Sequence, residues 1–279
     1  TTFGPEFHRL GFGQAVSAGL LTDYKVLVLT VDEGAVASTF QRDMASNSEL
    51  NISDLARIVG CWNALAKRMQ DDSFAGDPEP MRKAVAFARD IKTSKRFADT
   101  FEEIAASYLD TLRISGQDVA VNPLEAHVQH VDGTMNMLQR GELMDWLKTP
   151  GKEGVNEARI LSNAKCLSEG VDVPSLDAVM FLNPRKSVVD VVQSVGRVMR
   201  LAPGKQYGYI ILPIAIPPDT TPEEALADND RFRVVWEVLQ ALRAHDERFN
   251  ATVNKIELNK AKPPQIDIFH IGSKTTDSD

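Results

Sequence analysis

The stretch Gln193-Ser-Val-Gly-Arg-Val-Met-Arg200, preceded by Glu169-Gly-Val-Asp-Val-Pro174, is the most informative pattern in this chain. It places Arg197 and Arg200 about one helical turn apart, downstream of a glycine turn that carries a carboxylate. A guanidinium group is always charged and presents a planar fork of donors, so it suits phosphate oxygens better than an ammonium group does. Two such groups on one helix face can neutralise charge on a transferred phosphate. An exposed basic helix end is the plain alternative, but the preceding glycine and carboxylate favour a phosphate site.

Outward from this stretch, strand and helix patterns alternate along the chain. Short apolar runs typical of buried strands are separated by segments whose apolar residues recur at helical spacing. This alternation predicts βαβ units and therefore an α/β fold with a parallel sheet flanked by helices. Strands are expected at 24–31, 83–89, 126–131, 159–161, 177–182 and 207–212, and helices at 12–21, 51–69, 94–112, 136–148, 187–200 and 222–249. Residues 32–48 and 71–80 are interpreted as connections, and the end of the tail that begins at residue 260 is predicted to be loose.

At these residues the chain resembles the second RecA-like lobe of superfamily 2 helicases and translocases. Glu169–Pro174 resembles helicase motif V, and Gln193–Arg200 resembles motif VI in the form that begins with glutamine. The order of elements over residues 94–212 also follows the family. The flanking segments 3–12 and 229–236 are similar to large bacterial restriction helicases, in particular the single-polypeptide type I enzymes. The implied fold is a RecA-like parallel sheet sandwiched by helices, like the second lobe of a P-loop NTPase.

The resemblance implies roles for individual side chains in this chain. Arg197 and Arg200 are expected to act as arginine fingers on the γ-phosphate of ATP, with Gln193 near the phosphates or the attacking water. Gly170 would let the backbone approach a nucleotide closely. Asp172 is expected to accept a hydrogen bond from a ribose hydroxyl, although a structural turn in which it bonds local backbone is the alternative.

A second group of candidates lies where strands are expected to end, the edge at which functional groups collect in parallel sheets. Ser94 and Lys95 are predicted to begin a helix, where a hydroxyl and an ammonium group could bind one phosphate of a nucleic-acid strand. A plain N-cap role for Ser94 is equally compatible with the pattern. His130, Ser162 and Asn163 are further candidates for contact with the same strand, and His130 could instead be a satisfied structural histidine.

Two absences define what this lobe would need from elsewhere. The chain has no G-x-x-x-x-G-K-[ST] loop and no D-E-x-H or D-E-A-D run. It therefore lacks a phosphate-binding loop with its lysine and the carboxylates that place Mg²⁺ and a catalytic water. ATP and Mg²⁺ are expected on an N-terminal RecA-like lobe of the same parent chain, and the isolated fragment is predicted to be inactive. The start at Thr1 also suggests a piece of a longer protein.

Length and composition limit the remaining possibilities. The 279 residues suffice for one large or two small domains. The predicted division is a first-lobe remnant and linker at 1–48, the helicase lobe at 49–215, and a helical extension with a loose tail at 216–279.

Absence of a span-length apolar run and of a secretion signal predicts a cytoplasmic protein without membrane contact. Cys61 and Cys166 lack metal-ligand spacing, which predicts free thiols and no metal site. The net charge of −8 argues against general coating of nucleic acid, but not against a narrow basic track.

The resulting interpretation is the C-terminal lobe of an ATP-dependent helicase or translocase that acts on DNA or RNA, DNA being favoured. Nuclease or methyltransferase domains are further partners to consider in the parent protein. A degenerate RecA-like module that binds nucleic acid or protein without catalysis stays open, and insensitivity of ATP hydrolysis to Arg197→Ala would distinguish it. An unrelated nucleotide-using α/β enzyme, such as a sugar transferase, also stays open and would bind its nucleotide unaided.

Overall fold

A parallel sheet organises the chain. The computed structural model describes residues 10–41, 51–68, 74, 76–117, 123–152, 154–164, 175–183, 187–218, 232–249 and 266–271. Its strands are β1 Asp23–Asp32, β2 Lys83–Phe87, β3 Glu125–Val131, β4 Glu157–Asn163, β5 Ala178–Phe181, β6 Tyr207–Ile216 and β7 Ile266–Ile271. They form one sheet in the order β3-β4-β2-β5-β6-β1-β7, and every neighbouring pair is parallel. The predicted α/β fold with a parallel sheet is confirmed.

Helices cover both faces of this sheet. They are α1 Phe12–Ser17, α2 Glu33–Thr39, α3 Ile52–Leu65, α4 Ile91–Ile114, α5 Met137–Lys148, α6 Val188–Val198 and α7 Arg233–His245. One buried cluster joins α2, α3 and α4 to one face, and a second joins α5, α6 and α7 to the other. Successive side chains of a strand point to opposite faces, so Leu27 belongs to the first cluster and Val28 to the second. The strands are therefore apolar on both sides, as a sandwiched parallel sheet requires.

The N-termini of α2 to α6 meet at one edge of the sheet, here called the carboxyl edge because the strands end there. Helices α2, α4, α5 and α6 each follow a strand directly, and Ser53 at the start of α3 bonds to Glu33 at the start of α2 (2.5 Å). The side chains that cap these helices are Asp32, Asn51, Asp90, Asn136 and Ser187. Because helix macrodipoles are positive at their N-termini, each of these helices contributes a partial positive charge at this edge. The opposite side, where strands begin, is called the amino edge.

Two helix starts differ from the sequence prediction, and an aspartate cap accounts for both. Residues 33–39, predicted as part of a connection, form α2 because Asp32 accepts hydrogen bonds from the amides of the first turn. Helix α4 begins at Ile91 rather than at Ser94, since the Asp90 carboxylate accepts the Thr93 amide. Ser94 consequently lies inside the first turn and is neither the N-cap nor the first residue of the helix.

Three predicted ends in the second half of the chain are also corrected. Strand β6 passes through Pro213 to Ile216, because the apolar run stays buried beyond the proline. Helix α6 ends at Val198, so Arg200 lies outside it. Helix α7 ends at His245, where Asp246 takes an extended conformation, whereas the prediction continued the helix to residue 249. The part of that prediction at 222–231 lies outside the described residues.

Strand β1 lies inside the sheet, between β6 and β7. Its register with β6 runs from Asp23 opposite Tyr207 to Asp32 opposite Ile216. Residues on both sides of the predicted domain boundary at residue 48 therefore belong to one hydrogen-bonded sheet. Strand β7, which lies in the C-terminal tail, pairs with β1 and supplies an edge strand that the prediction missed. The other elements lie where the sequence predicts them, with ends shifted slightly.

Candidate functional site

Helix α6 presents the candidate phosphate-binding residues on the side away from the sheet. Ser187 caps its start by accepting the Asp190 amide, a local signal that the sequence shows directly. The buried side of the helix consists of Val191, Ser194, Val195 and Val198. Gln193 is exposed and Arg197 is partly buried. Because these two residues are four apart, they share the outer face of the helix, as the sequence analysis expects.

Arg197 and Arg200 lie close enough to influence each other electrostatically. Burial lowers the pKa of the Arg197 guanidinium, and the positive charge of Arg200 lowers it further. Although Arg200 lies beyond the helix, its amide donates to the Arg197 carbonyl (3.3 Å), which continues the turn. Arg200 itself is exposed. Two neighbouring cations in a partly desolvated position would be stabilised by a bound anion.

The Lys205 ammonium group holds the backbone at the end of α6. Its Nζ donates to the carbonyl oxygens of Leu176 (2.5 Å), Val198 and Arg200 (3.3 Å). Three donors therefore meet three acceptors, the full capacity of an ammonium group. Burial lowers the pKa of Lys205 to about 8. The sequence analysis missed this residue, and a lone lysine in a turn offers no local signal for such a role.

Two other segments bond to the same end of the helix. The Thr22 amide donates to the Met199 carbonyl (2.8 Å), and the Ser175 hydroxyl donates to the Arg200 carbonyl (3.5 Å). We call Thr22, Ser175 and Lys205 the α6 clasp. Ser175 directly follows the segment Glu169–Pro174, so the residue after the first sequence motif is bonded to the last residue of the second. The predicted nucleotide contacts Gly170 and Asp172 lie outside the described residues.

Gly208 allows the end of α6 to approach strand β6 closely. A Cβ at this position would lie 2.6 Å from the carbonyl oxygen of Val198 and would also collide with the Val198 side chain. Contacts this short require backbone movement. Glycine is therefore the residue that permits the observed packing between α6 and β6.

At the carboxyl edge, the structure brings three predicted residues together. The Ser94 Oγ lies 2.7 Å from the His130 Nδ1 and 2.7 Å from the Ser162 Oγ. The His130 Nε2 lies 2.8 Å from a carboxylate oxygen of Asp132. Ser94 and Ser162 are fully buried. Their polar atoms thus bond to each other and to His130, which makes the histidine a satisfied structural residue in this conformation.

Asp132 anchors this network, although the sequence analysis did not select it. The hydrogen bonds from Thr134 and His130 hold the pKa of the Asp132 carboxyl well below its usual range. Because the carboxylate stays ionised and only accepts, we assign the hydrogen of His130 to Nε2. The nearby Lys95 Nζ lies 3.9 Å from Asp132. An Asp two residues before Thr, directly after a strand, is the local turn signal that could have identified it.

Asn163 and Lys95 differ sharply in accessibility. Asn163 is fully buried, and its side-chain amide donates to the Ala86 carbonyl (3.2 Å) while its Oδ1 has no hydrogen-bond partner. The Lys95 side chain is 56% exposed. Among the five predicted nucleic-acid contacts, Lys95 is therefore the one whose functional group is accessible in this conformation.

Further cations lie beside Lys95 and were missed as candidates. Arg89 and Lys92, at the start of α4, are exposed. The run Arg89-Asp-Ile-Lys-Thr-Ser-Lys-Arg96 at a strand-to-helix turn was the available signal. We call Arg89, Lys92 and Lys95 the carboxyl-edge cations. Arg89 pairs with Asp90 (3.0 Å) and Lys95 lies near Asp132 (3.9 Å), so part of their charge is offset.

The described ranges contain neither a membrane-spanning helix nor a metal-ligand cluster. None of the helices there has the length and apolarity needed to cross a bilayer. No three His, Cys, Asp or Glu side chains in those ranges are placed to share a metal ion. Cys61 is a buried free thiol, as predicted, and burial raises its pKa. Cys166 lies outside the described residues.

Comparisons with known proteins agree with this geometry. Residues 79–202 match the family described as the helicase conserved C-terminal domain. The structure of the ATP-dependent type ISP restriction-modification enzyme LlaBIII bound to DNA aligns with 96% of this chain, at a TM-score of 0.81 and 47% identity. A nuclease-deletion mutant of the type ISP enzyme LlaGI, in complex with a DNA substrate mimic, aligns with 95% at a TM-score of 0.55 and 35% identity. A probable helicase of African swine fever virus is 37% identical over 93 residues, which are 33% of this chain.

The chain corresponds to a small part of each relative. It spans 17% of the LlaBIII chain, 14% of the LlaGI chain and 10% of the viral helicase. Residues 79–202 therefore form the conserved C-terminal domain of a superfamily 2 helicase or translocase with a RecA-like fold, in a chain that is similar to the restriction-modification enzymes LlaBIII and LlaGI.

Proposed function

We propose that this lobe completes an ATP site held by another lobe and thereby helps to drive movement along DNA. The observation that carries the proposal is the pair Arg197 and Arg200 at the clasped end of α6. Partial burial lowers the pKa of Arg197, and the positive charge of Arg200 lowers it further. A γ-phosphate placed against both guanidinium groups would relieve their repulsion and be stabilised as its charge develops. Gln193, one turn earlier, would face the phosphates or the attacking water.

ATP and Mg²⁺ belong, in this proposal, to an N-terminal RecA-like lobe of the parent chain. The sequence has no phosphate-binding loop, so this lobe would supply arginines and not the phosphate cradle. Gly170 and Asp172 would contact the nucleotide, a role that rests on the resemblance of Glu169–Pro174 to motif V. The arginine pair fits a nucleotide phosphate because planar donors match its oxygens.

DNA is the proposed track, and the carboxyl edge is its proposed place. The N-termini of α2 to α6 provide positive potential there, and the carboxyl-edge cations add full charges. LlaBIII and LlaGI are both described with DNA or a DNA mimic, which supports DNA over RNA. Nuclease or methyltransferase domains of the same parent protein, and a cytoplasmic location, are part of the same proposal because those relatives are restriction-modification enzymes.

The test places this lobe beside a working ATP-binding lobe. We define the exchanged enzyme as LlaBIII in which this chain replaces the corresponding segment, an exchange favoured by 47% identity. The exchanged enzyme should hydrolyse ATP in the presence of DNA, whereas the isolated chain should not. Arg197→Ala or Arg200→Ala should lower its kcat about 1,000-fold or more, the range measured for arginine fingers.

The matched control is Arg113→Ala, which removes an exposed guanidinium that pairs with Asp110 at the end of α4. Its turnover should equal that of the unmodified exchanged enzyme. Undiminished turnover in the Arg197 and Arg200 variants would contradict the proposal and favour a non-catalytic binding module. Tight binding of ATP or a nucleotide sugar by the isolated chain would instead favour a self-contained nucleotide enzyme.

A further inference from the structure

We infer that Lys205 is a positioning residue for the two candidate arginine fingers, acting through the backbone at the end of α6. This inference rests on the proposed function of Arg197 and Arg200. Lys205 itself does not need to touch the nucleotide. Its role would be to hold the backbone carbonyl groups at the end of α6. The backbone there sets the positions of the two arginine side chains.

The bonding of Lys205 is unusually complete for a lysine in a turn. Carbonyl groups in the last turn of a helix have no partner within the helix, and lysine side chains near a helix end can supply one. Here the Nζ reaches Val198 and Arg200, which flank the end of α6, and also Leu176. The side chain approaches from a tight turn in which Gly204 has a φ of +76°. Three carbonyl groups from two separate segments thus converge on one ammonium group.

The two segments are the ones that the sequence motifs mark. Leu176 lies two residues after Pro174, at the end of the motif V segment, and Arg200 is the last residue of motif VI. A water molecule or a glycine C-cap could satisfy the helix carbonyls, but neither would tie them to Leu176. Lys205 therefore fixes the end of motif VI relative to Leu176, which follows the motif V segment by two residues. Gly208 works in the same direction, because it lets Val198 lie against β6.

The burial of this ammonium group shows that it is not an ordinary surface lysine. Removal from water lowers its pKa to about 8. An ammonium group that is desolvated and still bonded to three carbonyl oxygens is retained for geometry, since a solvated lysine would avoid the desolvation penalty. A planar guanidinium cannot aim three donors at three converging carbonyls as a tetrahedral ammonium does. Lys205→Arg should therefore keep the positive charge but lose the simultaneous hydrogen bonds to the three carbonyl groups.

The first experiment uses the isolated chain and needs no activity. Lys205→Met and Lys205→Arg are labelled with carbon-13, and the backbone carbonyl shifts of Leu176, Val198 and Arg200 are measured by nuclear magnetic resonance. We expect these shifts to change in both variants. The control, Lys83→Met, removes an exposed ammonium group that bonds the Lys148 carbonyl (2.9 Å), and it should leave the three shifts unchanged. Unchanged shifts in the Lys205 variants would overturn the inference.

The second experiment measures steady-state kinetics in the exchanged enzyme. Because a displacement of about 1 Å can cost about 100-fold in rate, Lys205→Met should lower kcat by about that factor while the KM for DNA stays unchanged. Lys205→Arg should not restore kcat. Normal kcat in both variants, with Arg197→Ala still inactive, would overturn the role of Lys205 and leave the proposed function intact. Normal kcat in Arg197→Ala would instead indicate failure of the proposed function.

Discussion

Polar side chains at the two edges of the sheet differ in their hydrogen-bond partners. At the carboxyl edge, Ser94 bonds to His130 and Ser162, the two serines are fully buried, and His130 is partly buried. At the amino edge, the hydrogen bonds from Lys205 and Ser175 near Arg200 go to backbone carbonyl groups, and the Arg200 side chain is exposed. The difference separates residues that bond within the fold from residues that we propose to contact a ligand. At the carboxyl edge, ligand contact should accordingly fall to the carboxyl-edge cations and not to the buried hydroxyl groups.

Among the substitutions that test this contrast between the two edges, Gly208→Ala is expected to have the largest effect, on both stability and turnover. The added Cβ would collide with Val198 at the end of α6, so the helix end must move. Overpacking of this kind costs about 1–3 kcal/mol, and turnover of the exchanged enzyme should fall because both arginines move with the backbone. Urea unfolding of the isolated chain measures the loss of stability, and ATP hydrolysis measures the loss of rate.

Gly141→Ala is the matched control for that prediction. Gly141 lies in α5, and a Cβ there meets nothing within 4 Å. The substitution should raise stability by up to about 1 kcal/mol, because alanine is a better helix former than glycine. Equal effects of the two substitutions would mean that close packing between α6 and β6 does not matter.

Much of the fold could be predicted because its signals are local. Asn51, Asn136 and Ser187 cap helices at the positions that the sequence pattern indicates. The placement of β1 and β7 in the same sheet could not be predicted in this way. Their pairing joins residues that are distant in the sequence. The sequence pattern of one strand does not identify the strand with which it pairs.

The candidate site shows the same division between local and distant information. Gln193, Arg197 and Arg200 could be selected because their spacing on one helix carries the chemistry. The bonds from Thr22, Ser175 and Lys205 could not, since three separate segments converge on one helix end. The burial of Ser94 was equally hidden, because Asp90 begins the helix one turn earlier.

Ser94→Ala is expected to change stability alone, with no effect on the position of the arginines. The substitution leaves the His130 Nδ1 and the Ser162 hydroxyl without their shared partner in a buried position. An unsatisfied buried polar group costs about 1–3 kcal/mol, so the midpoint of urea unfolding should fall while its slope stays constant. Ser38→Ala, which removes an exposed hydroxyl bonded to the Ala35 carbonyl, should change stability by less than about 0.5 kcal/mol. Comparable losses in both variants would indicate that the Ser94 network has no structural importance.

The smallest effect is expected from Lys95→Ala, and it concerns DNA binding. Each phosphate contact contributes about one unit to the slope of log affinity against log salt concentration. Lys95→Ala should therefore reduce the magnitude of this slope by up to about one unit in the exchanged enzyme. Lys95 lies 3.9 Å from Asp132, which offsets part of its charge, so Lys92→Ala should change the slope at least as much. Lys148→Ala serves as the control, because Lys148 is exposed at the last turn of α5 near the amino edge. A larger change in slope for Lys148→Ala than for Lys95→Ala would move the DNA track to the amino edge. The carboxyl edge would then be a purely structural region, and the contrast between the two edges would be reversed.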